Sequence, residues 1–312
     1  MKKRVLYFFT IVVISSMAFV ACIEENKEIW NTEGVPEMKI TVSASAIFGI
    51  KIEIAGQGEM KINWGDDSPF ETDTLKNKGV FYAHKYKSTA TYTICIIGDI
   101  DYFNCSNCNV TNIDVSKHPA LSILNCSGNS LTSIDVSNNT ELLSLDCGGN
   151  NLTNLDLKKN SALLHLFCGG NRITNLDLSK LPNLLRLDCN GNRLTNISVG
   201  YCKNLYELDC RGNQLLSLNV SGNSKLAIMD CSWNGAGTDK LSNLDMSSNG
   251  VLVKLKCCSN GFSASALNAL FESLHSLPYV YIDDKTVDIS GNPGSKACDK
   301  QIAKDKGWRV IY

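Results

Sequence analysis

What this sequence lacks first is an excess of charge of either sign: 30 Lys and Arg stand against 31 Asp and Glu in 312 residues, a formal net charge of −1. A chain so balanced has no long-range attraction for nucleic acid or anionic lipid headgroups, and nucleic acid is dropped as a partner. Histidine is scarce too, with four copies at His84, His118, His165 and His275. They show neither HExxH nor paired spacing, no GxSxG elbow occurs, and the stretch Gly291 to Lys296 falls short of GxxxxGK[ST]. The chain therefore reads as a non-enzyme, with no cofactor and no metal. Also missing is the run of ~18 or more apolar residues that a membrane-spanning helix needs.

At the N-terminus Lys2, Lys3 and Arg4 precede an apolar run from Val5 to Val20, then Ala21 and Cys22. That order of charge, apolar run and small residue is a secretory signal, cleaved and outside the fold. Phe19-Val20-Ala21-Cys22 resembles the lipobox of bacterial lipoproteins, although Phe19 stands where that family has an aliphatic residue. The resemblance implies removal of residues 1–21, a lipid on Cys22 and a tether over 22–36. Ile23-Glu24-Glu25-Asn26 resembles the export tag that carries some lipoproteins to the outer face of the outer membrane. The same residues also read as an ordinary solvated linker, so the cell surface and the periplasmic face both stay open.

Fourteen cysteines in an exported chain suggest a disulfide framework, but such frameworks belong to small domains without a core. Spacing decides. Cysteines fall at 105, 126, 147, 168, 189, 210 and 231, each 21 after the last, then at 257 after 26. Such a register is a repeat. Leu121, Leu124, Cys126, Asn129, Leu131, Ile134 and Val136 are followed by Leu142, Leu145, Cys147, Asn150, Leu152, Leu155 and Leu157. In Leu145-Asp146-Cys147, two-residue alternation points Leu145 and Cys147 inward and Asp146 outward, so each copy supplies one short strand and stacking buries the common face. Eight copies give a parallel sheet roughly 38 Å across. Cys126, Cys147, Cys168, Cys189, Cys210 and Cys231 are read as buried free thiols. Asn129, Asn150, Asn171, Asn192, Asn213 and Asn234, with Asn260, are read as an amide ladder that satisfies backbone groups where the chain turns.

The pattern resembles the leucine-rich-repeat family, and its short, helix-poor copies resemble the internalin-type bacterial branch, over about residues 99–262. That implies a repeat solenoid whose concave face binds another macromolecule. Cys105 and Cys108 form a CxxC, but Cys105 is a ladder position, Cys108 takes the asparagine position, and no second pair completes a tetrahedral zinc site. Asp114, Asp135, Asp156, Asp177 and Asp245 recur at one loop position, as turn-capping carboxylates or as a cation row; turn capping is the preferred reading.

A stack needs caps. Over 37–98 the segments Lys39–Val42, Ile50–Ile54, Lys61–Trp64 and Thr91–Ile94 alternate as half-buried strands. Trp64-Gly65-Asp66, His84-Lys85-Tyr86 and Tyr92-Thr93-Ile94 resemble the signposts of PKD-type immunoglobulin-like modules, which implies a small β-sandwich; Asp67 replaces the usual glycine. Asp66 and Asp67 read as a tight turn before they read as a calcium site. Over 263–312, the stripe Ala266, Leu267, Leu270, Phe271 and Leu274 predicts a helix on the last strand, followed by strands at Thr286–Ile289 and Trp308–Ile311 in an α/β cap.

The outward strand positions differ between copies, and near the middle of the sheet they become mixed in charge and aromatic. His165, Phe167, Arg186, Asp188, Glu207, Asp209, Arg211, Asp230 and Trp233 are the candidate ligand-binding residues, because exposed aromatic and arginine side chains anchor interfaces. The same residues also suit a polar face that only keeps the protein soluble. The expected partner is a protein, extracellular or of the cell envelope, with membrane attachment through the lipid. The alternatives are a glycan stacked on Phe167, Tyr206 and Trp233, or a periplasmic scaffold for an envelope complex.

Overall fold

The computed structural model describes residues 36–44, 49–236, 239–276 and 285–312. The expected signal peptide, the expected lipidation site at Cys22 and the expected tether up to residue 35 lie outside the described residues.

Alternation builds the first strands. In β1 (Glu37–Ala44), Met38, Ile40 and Val42 are buried between outward neighbours. β2 (Ile50–Asn63) pairs antiparallel with β3 (Glu71–Thr74), β4 (Val80–His84) and β5 (Ala90–Asn104). β1 lies antiparallel between β5 and β6 (Val110–Asp114). Trp64 is buried under this group, its indole N–H donating to Glu71 at 3.1 Å and its ring stacked on His84 at 5.0 Å. The Asp66 carboxylate pairs with His84 Nε2 at 2.7 Å and accepts from the Ser68 N–H at 3.3 Å, and Asp67 sits at φ 58, the geometry of a tight turn.

β5 belongs to two systems. Its first part runs antiparallel to β1, while Tyr102-Phe103-Asn104 run parallel to β7 (Ile123–Asn125). The chain thus passes into the stack inside a single strand that runs through residue 98 without a linker.

The 21-residue period then sets one three-residue strand per copy: β8 (Ser144–Asp146), β9 (His165–Phe167), β10 (Arg186–Asp188), β11 (Glu207–Asp209) and β12 (Ile228–Asp230). The five-residue excess carries an antiparallel pair, β13 (Gly235–Ala236) with β14 (Asp239–Lys240), before β15 (Lys254–Lys256) rejoins the stack. Next comes α1 (Ala264–Ser273), where the predicted helix stands. The Ser263 hydroxyl caps it by accepting the Ala266 N–H, and it buries Leu267, Leu270 and Phe271. β16 (Lys285–Asp288), α2 (Gln301–Asp305) and β17 (Trp308–Ile311) close the chain. β5, β7 to β12, β15, β16 and β17 form one parallel run, so the closing segment adds two strands to the eight read from the cysteines, and the run spans roughly 48 Å at the same spacing per strand.

Inside, Leu142, Leu145, Cys147 and Leu152 are completely buried, and the same positions repeat up the stack. The thirteen described cysteines are all free thiols. Burial lifts the Cys147 thiol to about 12 and raises the other ladder thiols, so none is a nucleophile at neutral pH.

The asparagine ladder ties rung to rung. The Asn150 amide donates to the carbonyls of Cys126 at 3.0 Å and Cys147 at 3.0 Å, and its oxygen accepts the Leu131 N–H at 2.9 Å. Asn129, Asn171, Asn192, Asn213 and Asn234 repeat this, and Asn292 extends it one rung past the last cysteine by donating to Cys257 and Ile289. A second amide ladder runs on the other side of the core. Asn139, Asn160, Asn223 and Asn249, all fully buried, donate to carbonyls of the preceding rung, as Asn160 does to Val136 and Asn139 at 2.9 Å each. His118 holds the equivalent place in the first rung, with Nε2 3.2 Å from the Gly98 carbonyl oxygen.

Candidate recognition surface on the parallel sheet

Each strand buries its middle residue and turns the two flanking ones outward. The third residue of the strand has a local duty. The Asp146 carboxylate accepts the Gly148 N–H at 3.1 Å, Asp188 that of Asn190 at 3.0 Å, Asp209 that of Arg211 at 3.1 Å and Asp230 that of Ser232 at 3.0 Å. Asn104, Asn125 and Asp288 do the same at their rungs. An acid or amide here is what the turn out of the strand demands, because a side-chain oxygen can mimic the backbone acceptor. Asp114, Asp135, Asp156, Asp177 and Asp245 on the other flank cap turns in the same way, each accepting the N–H two residues on.

Two rungs break this rule with a side chain that cannot accept: Lys256, which instead reaches Asp230 at 3.6 Å, and Phe167. The Phe167 ring lies parallel to His165 on the same strand, centroids 6.4 Å apart and planes 11° apart. Burial, then the neighbouring Arg186, lowers the His165 pKa, which keeps the imidazole neutral near physiological pH.

Towards the C-terminal rungs the face is charged and internally paired. Arg186 reaches Glu207 at 3.4 Å; Arg211 reaches Asp209 at 3.4 Å and Asp230 at 3.8 Å; Lys256 reaches Asp230 at 3.6 Å. Partial burial, with Asp188 and Asp230 on either side, pushes the Asp209 carboxyl up to about 6. Burial likewise raises Asp146.

Eight of the nine residues singled out thus share adjacent rungs on one face. Trp233 stands apart from the strands, in the turn between Ser232 and the ladder residue Asn234. The leucines of an apolar rim escaped the sequence reading: Leu143, Leu164 and Leu185, in one column with Tyr206, immediately precede strands β8 to β11, and Leu143 and Tyr206 are 41% and 40% exposed. Its signal was present, a column at the same 21-residue spacing one residue after a buried leucine. A cavity of about 750 Å³ lies elsewhere, lined by Lys51, Phe81, His84, Asn107 and Cys108. Lys51 Nζ sits 3.8 Å over the Phe81 ring there.

No family model matches the chain, and no curated protein does either. Among solved structures it is similar to the functional domain of InlJ from Listeria monocytogenes, a domain described as including a cysteine ladder, at 32% identity and a TM-score of 0.56 over 70% of this chain and 50% of that one. It also matches a leucine-rich-repeat protein of Leptospira interrogans at 22% identity and a TM-score of 0.48, over 64% of this chain and 56% of that one. The chain spans about half the length of these proteins. The 21-residue rungs, the buried cysteine and asparagine ladders and the likeness to InlJ together make this chain a leucine-rich-repeat solenoid.

Proposed function

We propose that this protein is a non-enzymatic recognition module which binds a protein partner through the open, concave face of the parallel sheet, held at the outer membrane by a lipid on Cys22. The observation that carries the reading is Phe167. It forgoes the turn cap made at every neighbouring rung and pairs its ring with His165, beside the apolar rim of Leu164 and Leu185 and the outward guanidinium of Arg186. Aromatic rings and arginine at the centre of a patch are the anchors of protein interfaces, and a forfeited local bond points to selection for contact.

Phe167→Asp restores the acceptor of the row, so it preserves or raises stability while removing binding. Crosslinking on intact cells identifies the partner, and titration of that partner against the wild type and F167D reads the contact. Unchanged affinity in F167D refutes the sheet-face reading. Protease shaving of intact cells separates the two locations: loss of the chain while a periplasmic control survives means the surface and an extracellular partner, and survival of both means a periplasmic scaffold with an envelope partner.

A further inference from the structure

The turn after each strand passes through one left-handed residue. In consecutive rungs it is Gly128, Gly149, Gly170, Gly191 and Gly212, at φ between 59° and 65°. Glycine adopts this conformation freely, and asparagine or serine tolerates it in a turn; a bulky side chain there is strained. The next rung has Trp233, at φ 58, and the one after it Ser259, at φ 54. The backbone path is therefore fixed by the stack, and a tryptophan occupies the position least suited to it.

Nor does the indole repay that strain by packing, since it is 66% exposed. Its rung neighbours are Gly212, with no side chain, and Ser259, with a small one, so neither leaves a bulky group against the ring. Strain retained at an exposed aromatic points to a contact made outside the chain. The neighbouring rungs carry charged side chains close to this turn in the chain. Arg211, which precedes Gly212, is half exposed with its guanidinium between Asp209 and Asp230, and the Asp230 carboxylate also meets Lys256. A protein anchor sits in an apolar, desolvated patch. An exposed indole one rung from a guanidinium and within three residues of a carboxylate suits instead a ring with an apolar C–H face and a hydroxylated edge, and the preceding rungs Gly212, Gly191 and Gly170 set no side chain at this position to block further rings of the same chain.

We propose that Trp233 is the stacking platform of a saccharide-binding site, with Arg211 and Asp230 receiving the sugar hydroxyls. The site goes beyond the protein contact at His165 and Phe167, since it occupies the turn and not the strand.

The test is calorimetric titration of the full chain with soluble cello-, laminari-, xylo- and chito-oligosaccharides, for the wild type, W233G and W233F. The expected result is saturable binding of at least one series, weakened at least about ten-fold in W233G and retained within about three-fold in W233F, which keeps an aromatic face. W233G, which takes the residue of the five preceding rungs, also melts a few degrees higher, about 2 °C or more, as the strain is released. Folding is thereby separated from binding. Absence of saturable binding across all four series would overturn the proposal, as would equal binding by W233G. Loss of the crosslinked protein partner in W233G, with no saccharide bound, would also overturn it, by making Trp233 a protein anchor. F167D leaves saccharide binding unchanged, so failure of either site is read independently of the other.

Discussion

Asp209→Asn is expected to stabilise the protein at neutral pH, although it removes a charged residue from an ion pair. In the folded state burial first, then Asp188 and Asp230, lift the Asp209 carboxyl from 3.8 to about 6. The folded pKa lies above the unfolded one, so the folded state holds that proton more tightly: its contribution to stability is fully present below the unfolded pKa and is lost as pH rises through about 6. At pH 7.5 the ionised carboxylate therefore carries a penalty of about 2 pKa shifts of one unit, on the order of 3 kcal/mol at ~1.36 kcal/mol each. The side chain is 21% exposed, so only a modest part of this is screened. Asparagine keeps the oxygen that accepts the Arg211 N–H, as Asn104 and Asn125 do at their rungs. Loss of the partner for the half-exposed Arg211 subtracts up to ~1 kcal/mol. The net gain is about 1–2 kcal/mol, or a rise in melting temperature of roughly 2–6 °C for a domain of this size. Urea titrations of both proteins from pH 4 to 8 provide the check: the gap is widest above pH 7 and closes towards pH 4. A gap that is negative at pH 7.5, or constant over the whole range, would refute the argument.

Asn171→Ala strands the carbonyls of Cys147 and Cys168 and the Leu152 N–H, at ~1–3 kcal/mol each, so denaturation should show a loss of at least about 3 kcal/mol. Asn160→Ala in the second ladder removes one bond from each of two carbonyls that keep a backbone donor, Val136 from the Asn139 N–H and Asn139 from the Leu142 N–H, and its loss in the same assay is smaller. Burial lowers the His118 pKa below that of the unfolded chain, so His118 costs stability as pH falls below about 6.5, where only the unfolded chain takes up the proton. His118→Asn, the residue of the following rungs, flattens that acid limb in pH-dependent unfolding; parallel curves for the two proteins would contradict it. Maleimide labelling without reductant modifies nearly all ladder cysteines in denaturant and almost none in native protein over the same time, and protection in denaturant would mean disulfides.

The parts of the fold legible in the sequence were those where one residue type answers one physical demand at every rung. Cys126 to Cys231 fill a fully buried apolar place in each rung, and Asn129 to Asn234 supply the donors and the acceptor that the backbone groups of the turn need. The second amide ladder was hidden because Leu181 and Cys202 interrupt it, a position where burial suffices when no amide is present. The final two strands are followed by Ile289 and Tyr312 in the cysteine place, so the cysteine count stopped short of them while Asn292 kept the bonding after β16. At the candidate site, sequence found the outward residues but not their division of labour. An outward aspartate looks free in a sequence, and only the 3.0 Å bond of Asp188 to Asn190 shows that it caps its own turn. That bond in turn makes Phe167, not the acids, the anomaly among the middle rungs.

Each asparagine of the first amide ladder bonds to its own rung and the one before it, and each of the second to the one before it, reaching back 24 residues to a carbonyl as Asn150 does to Cys126 or Asn160 to Val136. A tandem duplication or deletion of one 21-residue unit in the gene would leave every such bond with an equivalent partner. The length of the sheet face is thus free to vary between lineages in whole steps of about 4.8 Å, with the two ends untouched. A lineage could widen or narrow its contact surface by recombination alone, without refining a single new packing interaction.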